Sequence, residues 1–190
     1  MNRIKVAGIS GSLRNRSLNS GLIRAAVRLA PKDLLIEIVP IIDLPVFNQD
    51  LENPGQIRFP EVVQVFRDHL ANADALLFTI PENNWSVSAA IKNAFDWASR
   101  GPSPLDGKPA AIMGAGGRGG TFKAQLHIRQ IASHNDIKIM PAPEIGLSKA
   151  ESSFSESGDL IDSTVSEQIK AFLLAFNKWI QDHQEDQQLI

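Results

Sequence analysis

The stretch that decides the fold is IKVAGIS at residues 4–10, which leads into GSLRNRSLN at residues 11–19. The first segment is almost continuously apolar, rich in β-branched residues and as long as an ordinary strand. The second segment is polar, and apolar residues at helical spacing follow it over residues 19–29. Because a buried strand, a loop and a helix in this order open a β-α-β unit, the sequence predicts a parallel sheet.

The same alternation of strand and helix continues along the chain. Apolar runs predict further strands at residues 34–39, 75–80, 109–113 and 137–140. Helical spacing predicts further helices at residues 60–71, 89–98, 122–131 and 166–180. Strands that are apolar on both faces are typical of a sheet covered by helices on both sides. The predicted fold class is therefore α/β, with a flavodoxin-like, doubly wound, five-stranded parallel sheet and helices on both faces.

The domain organisation follows from the length of the chain. We expect 190 residues to form one flavodoxin-like domain over residues 1–180, followed by a polar, frayed tail over residues 181–190. Long loops rich in Pro, Gly and Ser are predicted at residues 40–59 and 144–163. In a doubly wound sheet, ligands bind at the carboxyl ends of the strands. The loops after the first, third and fourth strands are therefore the candidate site.

Composition and charge argue against several classes of partner. The net charge is -2, which gives no basic surface for nucleic acid. No apolar run reaches the roughly 18 residues of a membrane span, so we expect no membrane insertion. The chain has no cysteine, which excludes disulfides, thiolate metal ligands and a cysteine nucleophile. No signal peptide is recognised, and we expect a cytoplasmic protein without a metal site.

The first candidate loop has the composition of a phosphate cradle. A helix N-terminus presents unpaired backbone N–H groups and the positive end of a dipole. The loop adds short polar side chains and one arginine that can form charge-assisted hydrogen bonds. It lacks the Gly-Lys-Ser/Thr of a Walker A loop, so a monophosphate ester such as FMN suits it better. An ordinary loop with an N-cap serine is the alternative. The candidate residues are Ser10, Ser12, Arg14, Ser17 and Asn19.

The same loop permits a second interpretation, in which Ser10 is a nucleophile. GISGS at residues 8–12 resembles the G-x-S-x-G nucleophile elbow, but it lacks the last glycine. A hydrolase of that type also needs an acid and then a histidine later in the chain. The histidine nearest the end, His183, lies in the polar tail, so a hydrolase is disfavoured.

The second candidate loop, PENNWSVS at residues 81–88, combines turn-forming residues with an aromatic residue. It could be an ordinary connection, but its side-chain amides could also pair with the polar edge of a planar ring. In the helix that follows, Lys92 and Asp96 are four residues apart and are expected to pair on the surface. Trp97 is predicted to belong to the core or to an interface.

The third candidate loop is glycine-rich and runs from Gly114 to Gly120. It contains G-x-G-x-x-G, but it follows the fourth predicted strand rather than the first, and no acidic residue follows at the required distance. We therefore interpret it as a backbone that a flat ligand can approach closely, with a flexible loop as the alternative.

Together the three loops resemble the NADPH-dependent FMN reductase family, which includes bacterial chromate and quinone reductases and plant NAD(P)H:quinone reductases. The matching segments are GSLR at 11–14 with Ser17 and Asn19, PENNWS at 81–86, KNAFDW at 92–97 and HIRQ at 127–130. GSLR alone is a weak signal, but the ordered set is specific, and the resemblance covers roughly residues 5–180.

The resemblance implies a role for individual residues. The FMN phosphate loop matches Ser12, Arg14, Ser17, Leu18 and Asn19. The segment beside the isoalloxazine ring matches Pro81, Glu82, Asn83 and Asn84. The segment on the other side of the ring matches the glycine loop. The candidate cofactor-binding residues in this loop are Gly114, Gly116 and Gly117.

Two departures from the family pattern bear on these roles. Asn83 replaces the usual tyrosine, so an aromatic side chain near the flavin or at a subunit contact is lost, which bears on the range of substrates. The glycine loop has no Ser or Thr at its start, so hydrogen bonds to the flavin there would come from the backbone.

The implied function is an enzyme in which non-covalent FMN takes a hydride from NAD(P)H and passes two electrons to a quinone or similar small acceptor. Because the sequence shows one candidate flavin edge and no second nucleotide fold, we expect a ping-pong mechanism. No catalytic side chain is predicted. The resemblance also implies a homodimer or homotetramer, with Trp85 and Trp97 as candidate subunit contacts. The alternatives are a flavodoxin-like electron carrier, which is usually more acidic, and a flavin-binding regulatory protein without NAD(P)H turnover.

Overall fold

A computed structural model describes residues 3–52 and 59–188 of the chain. Its centre is a parallel sheet with the strand order β2-β1-β3-β4-β5, and a short strand β6 also pairs with β4. This order confirms the predicted flavodoxin-like α/β fold. The strands are β1 (Ile4–Ser10), β2 (Leu34–Ile38), β3 (Ala75–Thr79), β4 (Pro109–Ala115), β5 (Lys138–Ile139) and β6 (Ile145–Leu147). The helices are α1 (Leu18–Leu29), α2 (Glu61–Ala71), α3 (Ala89–Ala98), α4 (Phe122–His134) and α5 (Ser163–Gln188).

Two hydrophobic cores cover the two faces of the sheet. Every residue of β3 and β4 is buried, as expected for central strands packed on both sides. Along β1, Ala7 and Ile9 join the core beneath α2, α3 and α4, whereas Val6 joins the core beneath α1 and α5. This division follows from the two-residue period of a strand. The near-continuous apolar runs therefore predict the sheet and its covering layers.

The indole of Trp97 lies inside the first core. Its side chain is fully buried, its Nε1 donates to the Pro45 carbonyl at 2.7 Å, and the Phe47 ring packs edge-on against it at 4.9 Å. A side chain enclosed in its own protomer cannot contact a second copy. The prediction that Trp97 is a subunit contact is therefore wrong, and its alternative, a core residue, is confirmed. Lys92 and Asp96 do pair on the surface, at 2.5 Å.

The fifth strand position is divided into two short pieces. β5 pairs with the first residues of β4, and β6 pairs with its last residues, Met113 to Ala115. Between them, Pro141 and Pro143 have no backbone N–H to donate to a ladder. The predicted strand at 137–140 is therefore shorter than expected, and β6 lies in a stretch that the sequence predicts as loop.

The C-terminal helix is longer than the sequence predicts. α5 begins at Ser163, where the Asp162 carboxylate accepts hydrogen bonds from the N–H groups of Thr164 and Val165 at 2.8 and 3.2 Å. It continues through Gln188, so the described part of the predicted frayed tail is helical. In this extension His183 Nε2 lies 2.8 Å from the Gly107 carbonyl oxygen. Residues 189–190 of the tail, and residues 53–58 of the predicted loop at 40–59, lie outside the described residues.

The structure also answers the question of membrane spans. Among the helices of the described ranges, none combines the length and the apolar character needed to cross a bilayer.

Candidate active site

The three predicted loops meet at the carboxyl edge of the sheet around one cavity of about 490 Å³. This volume lies in the range typical of small-molecule and cofactor sites. We call it the flavin cavity. The first loop contributes Ser12, Arg14, Ser17, Leu18 and Asn19; the second contributes Pro81, Glu82 and Asn83; the third contributes Gly116. Of the predicted site residues, Ser10, Asn84, Gly114 and Gly117 do not line it.

The N-terminus of α1 opens into this cavity. Ser17 is the N-cap, and its Oγ accepts a hydrogen bond from the Ser20 N–H at 3.4 Å. By the geometry of an α-helix, the N–H groups of Leu18 and Asn19 have no partner within the helix. Among the described residues, the exposed Arg14 guanidinium has no ion pair or hydrogen bond either. Free N–H groups, the helix dipole and an unpaired arginine together favour a phosphate monoester here.

Asn19 holds this helix terminus against the sheet. Its Nδ2 donates to the Ala115 carbonyl at 2.9 Å, and its Oδ1 accepts from the Ala115 N–H at 3.1 Å. Its own carbonyl accepts from Thr79 Oγ1 at 2.9 Å. Because both polar atoms of the buried amide are committed to β4, the side chain positions the loop, and only its backbone N–H is left for a ligand.

Ser10 and Ser88 shape the first loop from either side. Ser10 Oγ lies 3.2 Å from Ser20 Oγ and accepts from the Ser12 N–H at 3.3 Å, away from the flavin cavity. Ser88 caps α3 and also donates to the Gly11 carbonyl at 2.5 Å. Ser88 lines the cavity but was missed as a site residue, although a serine directly before a helical pattern is a recognisable N-cap signal.

The second loop forms a tight turn beside the cavity. Asn83 and Ser86 exchange two backbone hydrogen bonds of 2.9 Å, and Asn84 and Trp85 both have positive φ, 51° and 64°. These features define a two-residue turn of type I′. Asn tolerates the left-handed region, whereas Trp85 stands where glycine is preferred. The turn places Asn83 at the cavity and Asn84 at its exposed tip.

Contacts from α4 hold this turn in place. Lys123 Nζ lies 3.3 Å from the centroid of the exposed Trp85 ring, a cation–π contact. His127 Nδ1 lies 2.9 Å from Ser86 Oγ. The histidine of the HIRQ segment therefore contacts the PENNWS segment, which gives a structural reason for the two motifs to occur together.

Glu82 has a structural partner that the sequence does not reveal. Its Oε2 accepts from the N–H groups of Lys123 and Ala124 at 3.0 and 3.3 Å. The N-cap of α4, Thr121, is left-handed and makes no capping hydrogen bond with its side chain. A carboxylate at a helix N-terminus also interacts favourably with the helix dipole. Glu82 therefore caps α4 from a neighbouring loop while it lines the flavin cavity.

The third loop begins later than the sequence predicts, because β4 runs through Ala115. Gly114 is thus a buried strand residue, and a Cβ there would overlap Thr121 Oγ1 and lie 2.8 Å from the Ile80 carbonyl oxygen. This glycine is needed for packing against α4. Gly117 is exposed, and a Cβ there would meet nothing within 4 Å. Of the predicted loop glycines, Gly116 alone lines the cavity. Its N–H donates to the Leu147 carbonyl at 3.0 Å and its carbonyl accepts from the Ala150 N–H at 3.2 Å, so the expectation that its backbone hydrogen-bonds to the flavin is wrong, and the residue offers only close approach.

A residue of the long loop after β6 also lines the cavity, as do the small or apolar residues Gly11, Leu13, Ala89, Ala90 and Ala115. Glu151 lies in the short 3-10 helix Ala150–Ser153 and faces the flavin cavity. No sequence signal singled it out, because one acidic residue in a loop rich in serine is unremarkable. The polar N-terminus of α1 suits the phosphate of FMN, and the second and third loops leave room in the same cavity for its ring.

Comparison with known proteins identifies the family. Residues 4–152 match the model of the family described as NADPH-dependent FMN reductase. The chain is 44% identical over 179 residues to an NAD(P)H-dependent FMN reductase of Pseudomonas aeruginosa, covering 93% of this chain and 95% of that protein. It is 43% identical over 177 residues to an NADPH:quinone oxidoreductase of Arabidopsis thaliana, covering 90% and 89%.

A solved structure supports the same assignment. FerB, a flavoenzyme NAD(P)H:(acceptor) oxidoreductase from Paracoccus denitrificans, superposes with a TM-score of 0.84 at 33% identity, covering 95% of this chain and 98% of that one. The fold, the ordered motifs and these similarities lead to one conclusion: the chain belongs to the NADPH-dependent FMN reductase family.

Proposed function

We infer that this protein is an FMN-dependent NAD(P)H oxidoreductase that reduces quinones or similar small acceptors. The observation that carries the inference is the flavin cavity itself, which the N-terminus of α1 lines together with residues of the second and third loops. Family membership and the quinone reductases among its relatives support the same activity.

The phosphate of FMN would be held by the N–H groups of Leu18 and Asn19, by the hydroxyl groups of Ser12 and Ser17, and by Arg14. The isoalloxazine ring would lie beside Pro81, Asn83 and Gly116. When bound, FMN supplies the chemistry: it accepts a hydride from NAD(P)H and passes two electrons to the acceptor.

The protein then has to bind, orient and shield the ring. Asn83 uses its backbone N–H for the turn, whereas the N–H groups of Glu82 and Asn84 have no partner within the described ranges. These two groups are available to the polar edge of the ring. Capping of α4 by Glu82 and the Asn19–Ala115 hydrogen bonds fix the second and third loops relative to the first.

We further propose a ping-pong order of substrates. The donor and the acceptor are both flat, and both must reach the same ring through the same opening of one cavity. The oxidised nucleotide therefore has to leave before the acceptor can stack in its place. High acceptor concentrations are expected to inhibit competitively against NAD(P)H.

The protein is also proposed to be a homodimer or homotetramer. Trp85, Phe122 and Leu126 are exposed to 69%, 43% and 66%, and they come from the turn and from the N-terminal half of α4. Aromatic side chains are enriched in the cores of interfaces. We expect light scattering to show a mass above that of one chain and Trp85→Glu to lower it. A monomer at micromolar concentration would contradict the assembly.

The proposed location is the cytoplasm, which supplies the nicotinamide donor. The activity is tested by mixing the purified, FMN-loaded protein with NAD(P)H and a benzoquinone. Nucleotide oxidation that depends on both FMN and the quinone is expected. Flavin binding without nucleotide oxidation would instead favour an electron carrier or a regulatory protein.

A further inference from the structure

A second cavity of about 320 Å³ lies on the other side of the first loop. It shares Ser12, Leu13 and Arg14 with the flavin cavity, so the two spaces are separated only by this loop. The opposite wall is formed by residues 38–42, where the chain leaves β2. We call it the arginine cavity, because Arg14, Arg16 and Arg24 line it.

The arginine cavity carries uncompensated positive charge. Arg24 is neutralised by Asp159, whose Oδ1 lies 2.7 Å from its Nη2. Arg14 and Arg16 make no ion pair with any described residue. No Asp or Glu of the described ranges lines the cavity. Two guanidinium groups without a partner in one concave site favour an anionic ligand, and a phosphate most of all.

The position of Arg16 is enforced by the surrounding backbone. Its φ is +58°, a left-handed conformation that is unfavourable for arginine. Gly158 packs so closely that a Cβ there would lie 2.8 Å from the Arg16 carbonyl oxygen. Arg24 fixes this contact, because its Nη2 donates to the Gly158 carbonyl at 2.9 Å and its Nε to Asp159 Oδ1 at 2.8 Å. Residues that their surroundings hold in a left-handed backbone conformation are often found where a protein binds a ligand.

The remaining walls are largely apolar, and part of this apolar lining is exposed. Leu13 and Ile42 are exposed to 46% and 59%, and Pro40 also lines the cavity. Exposed aliphatic side chains in one cavity suit an uncharged ring such as a purine. Beside them lie the hydroxyl groups of Ser12 and Ser20, which can hydrogen-bond to a ribose or a phosphate.

We propose that the arginine cavity binds the 2′-phosphoadenosine end of NADPH, with Arg16 on the 2′-phosphate, and that it makes the enzyme selective for NADPH over NADH. The proposal rests on the proposed function. The nicotinamide end of the same molecule reaches the flavin cavity across the shared loop. Arg14 lines both cavities and would bind the FMN phosphate and the diphosphate of the nucleotide. Arg16 lines the arginine cavity but not the flavin cavity.

The test compares Arg16→Asn with a control, Arg28→Gln. Asparagine tolerates the left-handed conformation better than most residues, so the substitution removes the charge with little change in the backbone. Arg28 is an exposed arginine of α1 that lines neither cavity. The ratio of kcat/KM for NADPH to that for NADH is measured in each FMN-loaded protein, and binding of 2′,5′-ADP is measured by calorimetry.

We expect the native protein to prefer NADPH by about tenfold or more, which is the size of one charge-assisted hydrogen bond. Arg16→Asn lowers that ratio and the affinity for 2′,5′-ADP by about tenfold, and Arg28→Gln leaves both as they are. Equal use of NADH and NADPH by the native protein, or a ratio that Arg16→Asn leaves unchanged, overturns the proposal. Loss of FMN from Arg16→Asn also overturns it, because Arg16 would then belong to the FMN site.

These outcomes are separate from failure of the proposed function. If neither nucleotide is oxidised by the native protein but 2′,5′-ADP binds and Arg16→Asn weakens it, the cavity is a nucleotide site without turnover. If both nucleotides are oxidised equally and 2′,5′-ADP does not bind, the proposed reductase activity is supported, but the arginine cavity plays no part in selecting the donor.

Discussion

Substitution of Arg14 by alanine tests the phosphate site. Arg14 lines the flavin cavity, and within the described residues its guanidinium has no ion pair or hydrogen bond, so its removal breaks no internal contact. A charge-assisted hydrogen bond contributes about 1.5–3 kcal/mol, which corresponds to roughly ten- to a hundredfold in affinity. Since Arg14 is exposed and screened by solvent, we expect the lower end of this range, about tenfold.

The assay is fluorescence titration of the apoprotein with FMN and, in parallel, with riboflavin, which lacks the phosphate. The native protein is expected to prefer FMN. Arg14→Ala weakens FMN binding and leaves riboflavin binding unchanged, so that the two ligands become more alike. Arg118→Ala is the control, because Arg118 is an exposed arginine of the glycine loop that does not line the cavity. An equal loss for riboflavin, or no loss for FMN, would refute the assignment of Arg14 to the phosphate.

Three further predictions concern the framework of the site. Asn19→Ala leaves the Ala115 N–H and carbonyl without partners in a buried position, so urea unfolding should show a loss of about 2–4 kcal/mol; an unchanged midpoint would mean that water replaces the amide. Glu82→Ala removes the cap of α4 and should lower the free energy of unfolding by about 1 kcal/mol. Glu82→Gln keeps an acceptor oxygen and should lower it less. Equal losses for the two variants would show that the charge matters more than the hydrogen bonds. The hydrogen bond from Arg24 is the main cause that lowers the pKa of Asp159, so the stability that this pair contributes is present above the unfolded pKa and is lost as the pH falls through the lowered value. Asp159→Asn should therefore destabilise the protein at pH 7 and have little effect near pH 2, and a constant difference would contradict the pairing.

The sheet could be predicted from the sequence because its signals are local and redundant. Residues 75–80 are continuously apolar, and they form the buried central strand β3. Each strand is followed by a helical pattern, which leaves little choice but parallel pairing. The order of the strands was predicted from the fold class, because no individual residue indicates it.

The edge of the sheet and the C-terminus were harder to predict, because their signals are weak or lie outside the segment itself. β6 has only three residues, and they pair with the distant β4. The end of α5 is polar, and the contact of His183 with Gly107 depends on tertiary structure. A rule based on apolar periodicity ends that helix where its last large apolar residue, Ile180, lies.

The candidate site was predicted in part. Its location follows from the rule for doubly wound sheets, and nine of the predicted residues do line the flavin cavity. What the sequence could not show is how side chains are used within the site. Asn19 and Glu82 are polar residues in ligand loops, yet their side chains hold Ala115 and the N-terminus of α4. Gly114 belongs to a loop motif but serves the packing of β4 against α4.

The measurement that tests the central claim most directly is anaerobic stopped-flow absorbance of the FMN-loaded protein. We expect NADPH alone to bleach the flavin absorbance in a single turnover, and subsequent addition of a benzoquinone to restore it. Initial rates at several fixed quinone concentrations should then give parallel double-reciprocal lines. Flavin absorbance that NADPH does not bleach until quinone is present, together with intersecting lines, would contradict the account, because it would require a ternary complex and a second acceptor site.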